Sequence, residues 1–304
     1  MLKNSKWNAL LAVIAIVTLT SLAGCYRKGE NIPVNPPTES TYLVDAWTSF
    51  ESGDFTAAEQ AFKSSKDRDA LNPEAFLGLG WSQARLLKFD AAVSNFRIMQ
   101  SITNDPVLEA DAHAGLAVCY AAMKNDDAAI ENVQTTLEMQ PNYKFSHDTY
   151  VDTKALNIVL ARSYLNKGDY LSAMNVVENN LESGFVDQLV SDGVLIKTAG
   201  LEASPIISAT TAVDGKATLR LSKDVNGKSA AIELVKVFAV KDFNESVNYS
   251  VVDFQQGGSD IIFKGNPVPT SEDIFKVDLL YAANFGQFLA KLYEKIESLR
   301  GTIG

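Results

Sequence analysis

Histidine and cysteine supply many catalytic and metal-binding side chains, and this chain contains few of either. Its histidines are His113 and His147, and its cysteines are Cys25 and Cys119. Two histidines exclude a histidine-rich metal site, and a Ser-His-Asp triad would depend on one of them. His113 falls in a helical pattern and His147 in an irregular segment, where we expect ordinary packing or surface roles. The sequence therefore predicts a protein that is not an enzyme and binds no metal or cofactor.

Two short motifs begin or end like ligand-binding loops but lack a required residue. Asn226-Gly227-Lys228-Ser229 ends like a phosphate-binding loop, yet that motif needs a glycine where Ser222 stands. Asp67-Arg68-Asp69 begins like a calcium loop, yet Leu71 occupies the next ligand position and no glycine follows. We interpret the first as a hairpin turn and the second as solvated acids between helices.

Composition limits the partners. The chain has 304 residues, of which 46% are hydrophobic and 21% are charged, as in a globular protein. Its formal net charge is −10, and no dense basic patch occurs. Because proteins bind nucleic acids largely through lysine and arginine contacts to phosphate, we expect no nucleic-acid partner.

The first residues have the order of a targeting segment. Lys3 and Lys6 give a positive start, residues 9–19 are apolar, and Leu22-Ala23-Gly24-Cys25 follows. The apolar run is shorter than the roughly 20 residues that span a bilayer, so residues 1–24 are predicted to be a signal peptide. Its ending resembles the bacterial lipobox, which implies cleavage before Cys25 and lipidation of that cysteine. A transmembrane anchor, or an ordinary secretion signal with a chance cysteine, is the alternative.

The same resemblance implies an address in the cell. Several acyl chains hold a protein on a membrane without a spanning helix, and Tyr26 after the cysteine favours the outer membrane of a Gram-negative bacterium. Residues 25–40, which carry the lipidation site, are polar and proline-rich and predict a flexible tether. Cys119 would then lack an intramolecular partner, and its helical position predicts a buried structural thiol. We expect a lipid-anchored protein of the bacterial cell envelope.

One pattern returns four times between residues 41 and 184: a turn, an aromatic or acidic residue, an alanine three residues later and a large apolar residue four further on. The copies are Phe55, Ala58 and Phe62; Phe89, Ala92 and Phe96; Asp126, Ala129 and Val133; and Tyr170, Ala173 and Val177. Leu79-Gly80, Leu116-Ala117 and Leu160-Ala161 precede the last three copies, and Asp45-Ala46 precedes the first. This resembles the tetratricopeptide repeat, a helix-turn-helix unit of about 34 residues, and implies a helical solenoid with a concave face.

The spacing between the third and fourth copies exceeds one repeat. The excess follows Pro141, around residues 142–148, where a proline ends one helix and a loop or a longer helix must follow. This segment is either a binding element or an insertion tolerated on the solenoid surface.

Residues 185–268 have a different pattern, with short β-branched runs at 206–211, 216–221, 232–240, 247–254 and 261–263. Asp214-Gly215 and Asn226-Gly227 separate consecutive runs and are typical of hairpin turns. We predict a small antiparallel β module, with a sandwich as one form.

The C-terminal residues 269–304 are predicted to be one amphipathic helix. Residues 269–273 supply a cap and acids, and large apolar residues then recur at three- and four-residue spacing: Ile274, Val277, Tyr281, Phe285, Phe288, Leu292, Ile296 and Leu299. We expect a length of about 25 to 30 residues and a kink at Gly286. We expect the apolar face of this helix to be covered in one of four ways: by the β module, by the end of the solenoid, by a partner or by a second copy of the chain. The predicted fold class is thus α+β: a helical solenoid, a β module and a terminal helix.

In peptide-binding tetratricopeptide proteins the first helix of each repeat lines the concave groove. The resemblance places these residues there: Leu43, Trp47, Phe50, Leu77, Trp81, Ala114, Val118, Ile158 and Arg162. Trp47 and Trp81 occupy equivalent positions and would suit a hydrophobic peptide or helix, and Arg162 would bind a carboxylate. The alternatives are that both tryptophans pack between helices, or that the tether or the C-terminal helix fills the groove.

We therefore expect a membrane-anchored, non-enzymatic scaffold that binds a protein or peptide partner through the groove, in an envelope assembly or secretion complex. The alternative is a structural surface lipoprotein in which the β module or the C-terminal helix mediates homo-oligomerisation or adhesion.

Overall fold

The computed structural model describes residues 39–203, 206–207, 215–220 and 232–301. The predictions for the signal peptide, for Cys25 and for the turn at Asn226-Gly227 concern residues outside this part of the chain. They remain predictions.

Helices occupy the first half of the described chain and follow one another in pairs. They are α1 (Glu39–Glu51), α2 (Phe55–Arg68), α3 (Pro73–Arg85), α4 (Phe89–Ile102), α5 (Pro106–Ala122), α6 (Asp126–Met139), α7 (Thr153–Asn166) and α8 (Tyr170–Val176), which continues as a π-helix (Val177–Leu181). Within each pair the two helices pack together, and the first helices α1, α3, α5 and α7 also contact one another in that order. This is the arrangement predicted for the repeats.

Each pair is joined by the same tight turn. The residue at its centre has a positive φ in all four repeats: 85° at Gly53, 60° at Leu87, 60° at Lys124 and 79° at Gly168. In the first repeat the Gly53 N–H donates to the Phe50 carbonyl and the Asp54 N–H to the Ser49 carbonyl, and the other three turns repeat this pattern. These bonds satisfy the last carbonyls of the first helix and end it.

Small residues allow the helices of neighbouring repeats to approach closely. A Cβ atom added at Gly78 would lie 2.2 Å from the ring of Phe62, and one at Gly115 would lie 2.3 Å from the ring of Phe96. Both phenylalanines are fully buried. Both phenylalanines are large apolar residues of the repeat pattern, and close packing around them requires small residues at Gly78 and Gly115.

The strands form two antiparallel sheets. One has the order β1 (Leu195–Ala203), β7 (Phe275–Ala282), β4 (Glu233–Asp242), and the other has the order β2 (Ile206–Ile207), β3 (Gly215–Thr218), β6 (Asp260–Phe263), β5 (Val251–Phe254). Side chains of both sheets, among them Ile261, Phe263, Phe275 and Val277, form a shared core. The described chain is therefore α+β, as predicted.

Two details of the predicted β module are wrong. A short helix, α9 (Phe185–Ser191), lies where the module was expected to begin. Strands β2 and β3 pair as predicted, but β3 and β4, which come from the next two runs, belong to different sheets and do not pair with each other. Asp-Gly and Asn-Gly pairs indicate where a chain can reverse direction. Which strands then pair depends on the packing of the whole core.

The prediction of one long C-terminal helix is also wrong, because the first part of that segment is strand β7. Among the described residues of this segment, 269–301, the helix is α10 (Phe285–Arg300), and the side chain of Asn284 caps it by accepting the Gln287 N–H at 2.9 Å. Val277 and Tyr281 are four residues apart, a spacing that suits both a helix face and alternate positions of a strand. Phe275, Val277, Leu279 and Tyr281 are all fully buried on one side of β7, so here the period is two. Gly286 lies in the first turn of α10 and produces no kink in its middle.

Helix α10 covers the end of the repeats. It packs against α7, and its buried residues Phe288, Leu292, Ile296 and Leu299 join the core of the helical repeats. Leu280 and Ala282 of β7 join the same core. Of the options left open for this helix, two are observed: it caps the solenoid, and its first turn contacts the β module, where the Phe285 N–H donates to Glu233 on β4.

Candidate functional site: the inner face of the repeats

We call the surface formed by the first helices α1, α3, α5 and α7 the inner face. Trp47, Trp81, Val118 and Arg162 occupy equivalent positions on it, one in each repeat. The sequence predicts that this face is an open groove. The structure shows it largely covered by other segments of the same chain.

The segment between α6 and α7, residues 140–152, is the main cover, and we call it the inner loop. It runs back over the first helices of three repeats. The Tyr143 hydroxyl donates to Asp111 Oδ1 on α5 at 2.9 Å, the Phe145 ring stacks on Trp81 of α3, and the His147 ring stacks on Trp47 of α1. The long spacing between the third and fourth repeats thus supplies a segment that lies in the groove and not on an outer surface.

The inner loop holds Phe145 between the two tryptophans. The Phe145 ring centroid lies 4.6 Å from that of Trp81 and 6.1 Å from that of Trp47, and the Phe145 side chain is fully buried. The His147 ring lies 3.7 Å from that of Trp47 and almost parallel to it. Aromatic stacking and apolar burial therefore attach the loop to the inner face.

The prediction that the groove residues are accessible is wrong for most of them. Trp47 is only 8% exposed and Trp81 only 2%. The groove residues that are buried are Leu43, Trp47, Phe50, Leu77, Trp81, Ala114 and Ile158. The sequence placed these side chains on the correct helices, but it did not show that the chain itself would cover them.

Backbone hydrogen bonds give the inner loop a hairpin-like form. The Phe145 N–H donates to the Val151 carbonyl at 2.9 Å, and the Thr153 N–H donates to the Tyr143 carbonyl at 2.9 Å. Successive side chains alternate, since Tyr143 and Phe145 are buried while Lys144 and Ser146 are exposed. The loop therefore presents alternate side chains to the inner face, as an extended peptide would.

An ion pair and a hydrogen bond fix the tip of the loop. Asp148 pairs with Arg85 on α3, and His147 Nδ1 lies 2.8 Å from Glu51 Oε1 on α1. Beside these contacts an open pocket of about 450 Å³ is lined by residues that include Phe55, Arg85, Thr149 and Tyr150. Tyr150 is 57% exposed, so the tip offers an aromatic side chain to solvent.

Asp111 is the buried charge of the site. Burial raises the pKa of its carboxyl to about 6, and the hydrogen bond from Tyr143 acts in the opposite direction without cancelling this effect. Burial and the neighbouring Asp111 charge raise the pKa of Tyr143 as well. At neutral pH the loop therefore rests on a poorly hydrated carboxylate, which is an unfavourable group to bury.

The far end of the inner face is occupied too. Arg162 Nη1 lies 2.8 Å from Glu297 Oε1 of α10, so its charge is already paired within the chain. The prediction that Arg162 is free for the carboxylate of a partner is wrong in this conformation. Of the four equivalent positions, Val118 lies between the two covers and is half-buried.

The remaining candidate residues have structural roles. His113 lies between Asn132 Oδ1 at 2.8 Å and Gln100 Nε2 at 3.0 Å, and these bonds tie α4, α5 and α6 together. Cys119 is fully buried, which confirms the predicted burial of this thiol, and burial raises its pKa to about 12. In the part of the chain that the structure describes, no cluster of three or more potential ligands could hold a metal ion. No helix in that part is both long and apolar enough to cross a bilayer.

The sequence indicated the segment 142–148 but not the individual roles of Tyr143 and Phe145, and it gave Asp111 no role. The alternation of Tyr143 and Phe145 with polar residues was a usable signal, because aromatic side chains at alternate positions of a loop need a surface to cover them. Asp111 gave no signal, since an aspartate on a helix is ordinarily solvated.

No protein-family model matches the chain, and no curated protein matches it. Similar solved structures include MamA, with 21% identity and a TM-score of 0.42 over 52% of this chain and 84% of that one. A chain of the APC/C hetero-tetramer Cut9-Hcn1 has 18% identity and a TM-score of 0.39, over 49% of this chain but only 29% of that one. TTC0263, a thermophilic TPR protein of Thermus thermophilus, has 16% identity and a TM-score of 0.37, over 51% of this chain and 84% of that one.

Proposed function

We propose that this protein is a non-enzymatic scaffold that binds a protein or peptide partner through the inner face of its helical repeats. One observation carries the proposal: the inner face already holds an extended segment, with the Phe145 ring placed between Trp47 and Trp81. A surface that buries alternate side chains of its own loop has the shape and the apolar character to bind a peptide.

We further propose that lipid on Cys25 anchors the protein in the bacterial cell envelope, at the outer membrane. Leu22-Ala23-Gly24-Cys25 supports this proposal, and the proline-rich residues after it would separate the repeats from the lipid surface. The partner would then belong to an envelope assembly or secretion complex. A Cys25→Ser variant should move from the membrane to the soluble fraction, and its continued presence in membranes would contradict lipid anchoring.

Site-specific photo-crosslinking in native membranes tests partner binding without removing buried side chains. A photoreactive phenylalanine analogue is placed at Tyr150 or Val118 on the inner side, and at Leu71 as the matched control. Leu71 is 71% exposed and lies in the connection between α2 and α3. We expect the same partner to be captured from Tyr150 and Val118 and not from Leu71. Equal capture from all three positions, or capture from Leu71 alone, would contradict an inner-face partner.

A structural role through self-assembly is the second candidate, and one surface favours it. Phe238 and Phe243 are 45% and 48% exposed, at and just after strand β4. The amino groups of Lys197 and Lys236 lie 5.2 Å and 5.0 Å from the Phe238 ring centroid. Analytical ultracentrifugation of the lipid-free protein would test this role. Oligomers that form with increasing concentration and are lost in Phe238→Ser would favour it over recruitment of a partner.

A further inference from the structure

We propose that the inner loop occupies the partner's place, and that the partner is a peptide with aromatic side chains at two alternate positions of an extended stretch, followed by a turn that carries an acid three residues after the second aromatic. The inference rests on the proposed function and specifies its ligand. The partner would bind by displacing the inner loop from the inner face.

The pattern is taken from the loop's own contacts. Tyr143 reaches Asp111, Phe145 enters the slot between Trp47 and Trp81, and Asp148 pairs with Arg85. In an extended chain alternate side chains point the same way, so the first two sites require aromatic residues two positions apart. The guanidinium of Arg85 selects a carboxylate at the third site.

The inner loop leaves part of this site unsatisfied. The indole nitrogens Trp47 Nε1 and Trp81 Nε1 are buried without an acceptor among the described residues. Buried donors of this kind are normally hydrogen-bonded, and tryptophan usually finds an acceptor when buried. A peptide whose carbonyl groups reach these nitrogens would therefore make bonds that the loop does not make.

Burial of the Asp111 carboxylate also makes the binding of the loop to the inner face less favourable. Tyr143 keeps the Asp111 carboxylate away from water and gives it one hydrogen bond. Displacing the loop rehydrates this carboxylate, and a peptide that supplies a second donor would satisfy it better than the loop. The loop is joined to α6 and α7 at its ends, so it can leave the inner face while both helices remain in place.

The test uses a synthetic peptide with the sequence of residues 141–152 as the probe. The receptor is the full mature chain, made without lipid, in which residues 142–150 are replaced by a glycine-serine linker of equal length. Circular dichroism and thermal unfolding show whether this receptor is folded, and calorimetry measures peptide binding. We expect saturable binding that weakens about tenfold or more when the Phe145 position of the peptide is alanine. Because the intact loop competes for the same site, the unaltered protein should bind the peptide at least about tenfold more weakly.

A folded receptor that does not bind the peptide, or that binds a scrambled peptide equally well, would overturn the inference. The proposed function would still stand if Tyr150 and Val118 continued to capture a partner in membranes, so the two failures are distinguishable. If the linker variant does not fold, hydrogen exchange of the unaltered protein provides the test. The Phe145, Val151 and Thr153 amides should exchange faster than the Ala58 and Ala92 amides of the helices. Equal protection would make the loop a permanent part of the core and contradict displacement.

Discussion

Phe145 stacks on Trp81 with their ring centroids 4.6 Å apart and their planes inclined by 23°. The first residue lies between the third and fourth repeats, and the second lies in the second repeat. In most solenoids each repeat contacts only its neighbours, so unfolding can begin and spread locally. Here the inner loop, which connects the third and fourth repeats, also contacts the first and second repeats. The repeats should therefore unfold more cooperatively than a simple array.

Replacing Phe145 by alanine should destabilise the protein strongly. The side chain is fully buried between two indoles, and truncation of a buried phenylalanine costs about 3 to 5 kcal/mol. Urea unfolding followed by tryptophan fluorescence measures this loss. Tyr150→Ala in the same loop is the matched control, because Tyr150 is largely exposed and its loss should change stability by less than about 0.5 kcal/mol. Equal effects of the two substitutions would show that the loop does not rest on the tryptophans in solution.

Asp111→Asn should increase stability at neutral pH and reduce its dependence on pH. The carboxyl has a pKa of about 6 in the folded protein against an ordinary value of 3.8, so between these values the folded state binds more protons than the unfolded state. Stability therefore falls as the pH rises from about 4 to 7, by an amount on the order of 3 kcal/mol. The asparagine variant lacks this loss. Its advantage should be largest near pH 7.5 and should shrink toward pH 4.5, as measured by urea unfolding at each pH.

Tyr143→Phe is the companion variant for this experiment. The Tyr143 hydroxyl donates to Asp111 and thereby lowers the pKa of that carboxyl, although burial has the larger effect in the opposite direction. Without the hydroxyl the pKa of Asp111 in the folded protein should rise further, so the loss of stability should extend to a higher pH and become larger than in the unaltered protein. An unchanged pH profile in both variants would mean that Asp111 is hydrated in solution.

Gly78→Ala should destabilise the contact between the first two repeats. The added Cβ would lie 2.2 Å from the Phe62 ring, which is fully buried. Overpacking of this kind typically costs about 1 to 3 kcal/mol, and thermal unfolding measures it. In the control Gly301→Ala the nearest atom to the new Cβ is the Ser298 carbonyl oxygen at 3.5 Å. This control should leave the midpoint temperature of thermal unfolding nearly unchanged. A similar fall in that temperature in both variants would argue against the close contact between Gly78 and Phe62.

Gly53→Ala and Leu87→Gly test the repeated turn from both directions. Both positions have a positive φ, and neither side chain makes a contact that complicates the result: a Cβ at Gly53 meets nothing within 4 Å, and Leu87 is 73% exposed. Alanine at Gly53 should cost about 1 to 2 kcal/mol of backbone strain. Glycine at Leu87 removes similar strain but adds about 0.5 to 1 kcal/mol of chain entropy, so stability should be equal or slightly higher. A clear loss in Leu87→Gly would contradict the shared turn geometry.

The sequence by itself determined the local structure of the repeats. The paired helices, the turn within each pair and the buried positions Ala58, Phe62, Ala92 and Phe96 all follow from the short pattern that recurs in each repeat. These features depend on residues close in the chain or on spacing that recurs once per repeat. Such information is present in the order of the residues.

Only the tertiary structure decided how the inner face is used and how the C-terminal half is built. Nothing near Phe145 in the chain specifies a slot between Trp47 and Trp81, because that slot exists only after the first two repeats have stacked. Val277 and Tyr281 fit a helix and a strand equally well by spacing, and the pairing of β7 between β1 and β4 selects the strand. In both places the local signal is ambiguous, and contacts between residues distant in the chain determine the conformation because they bury the larger apolar surface.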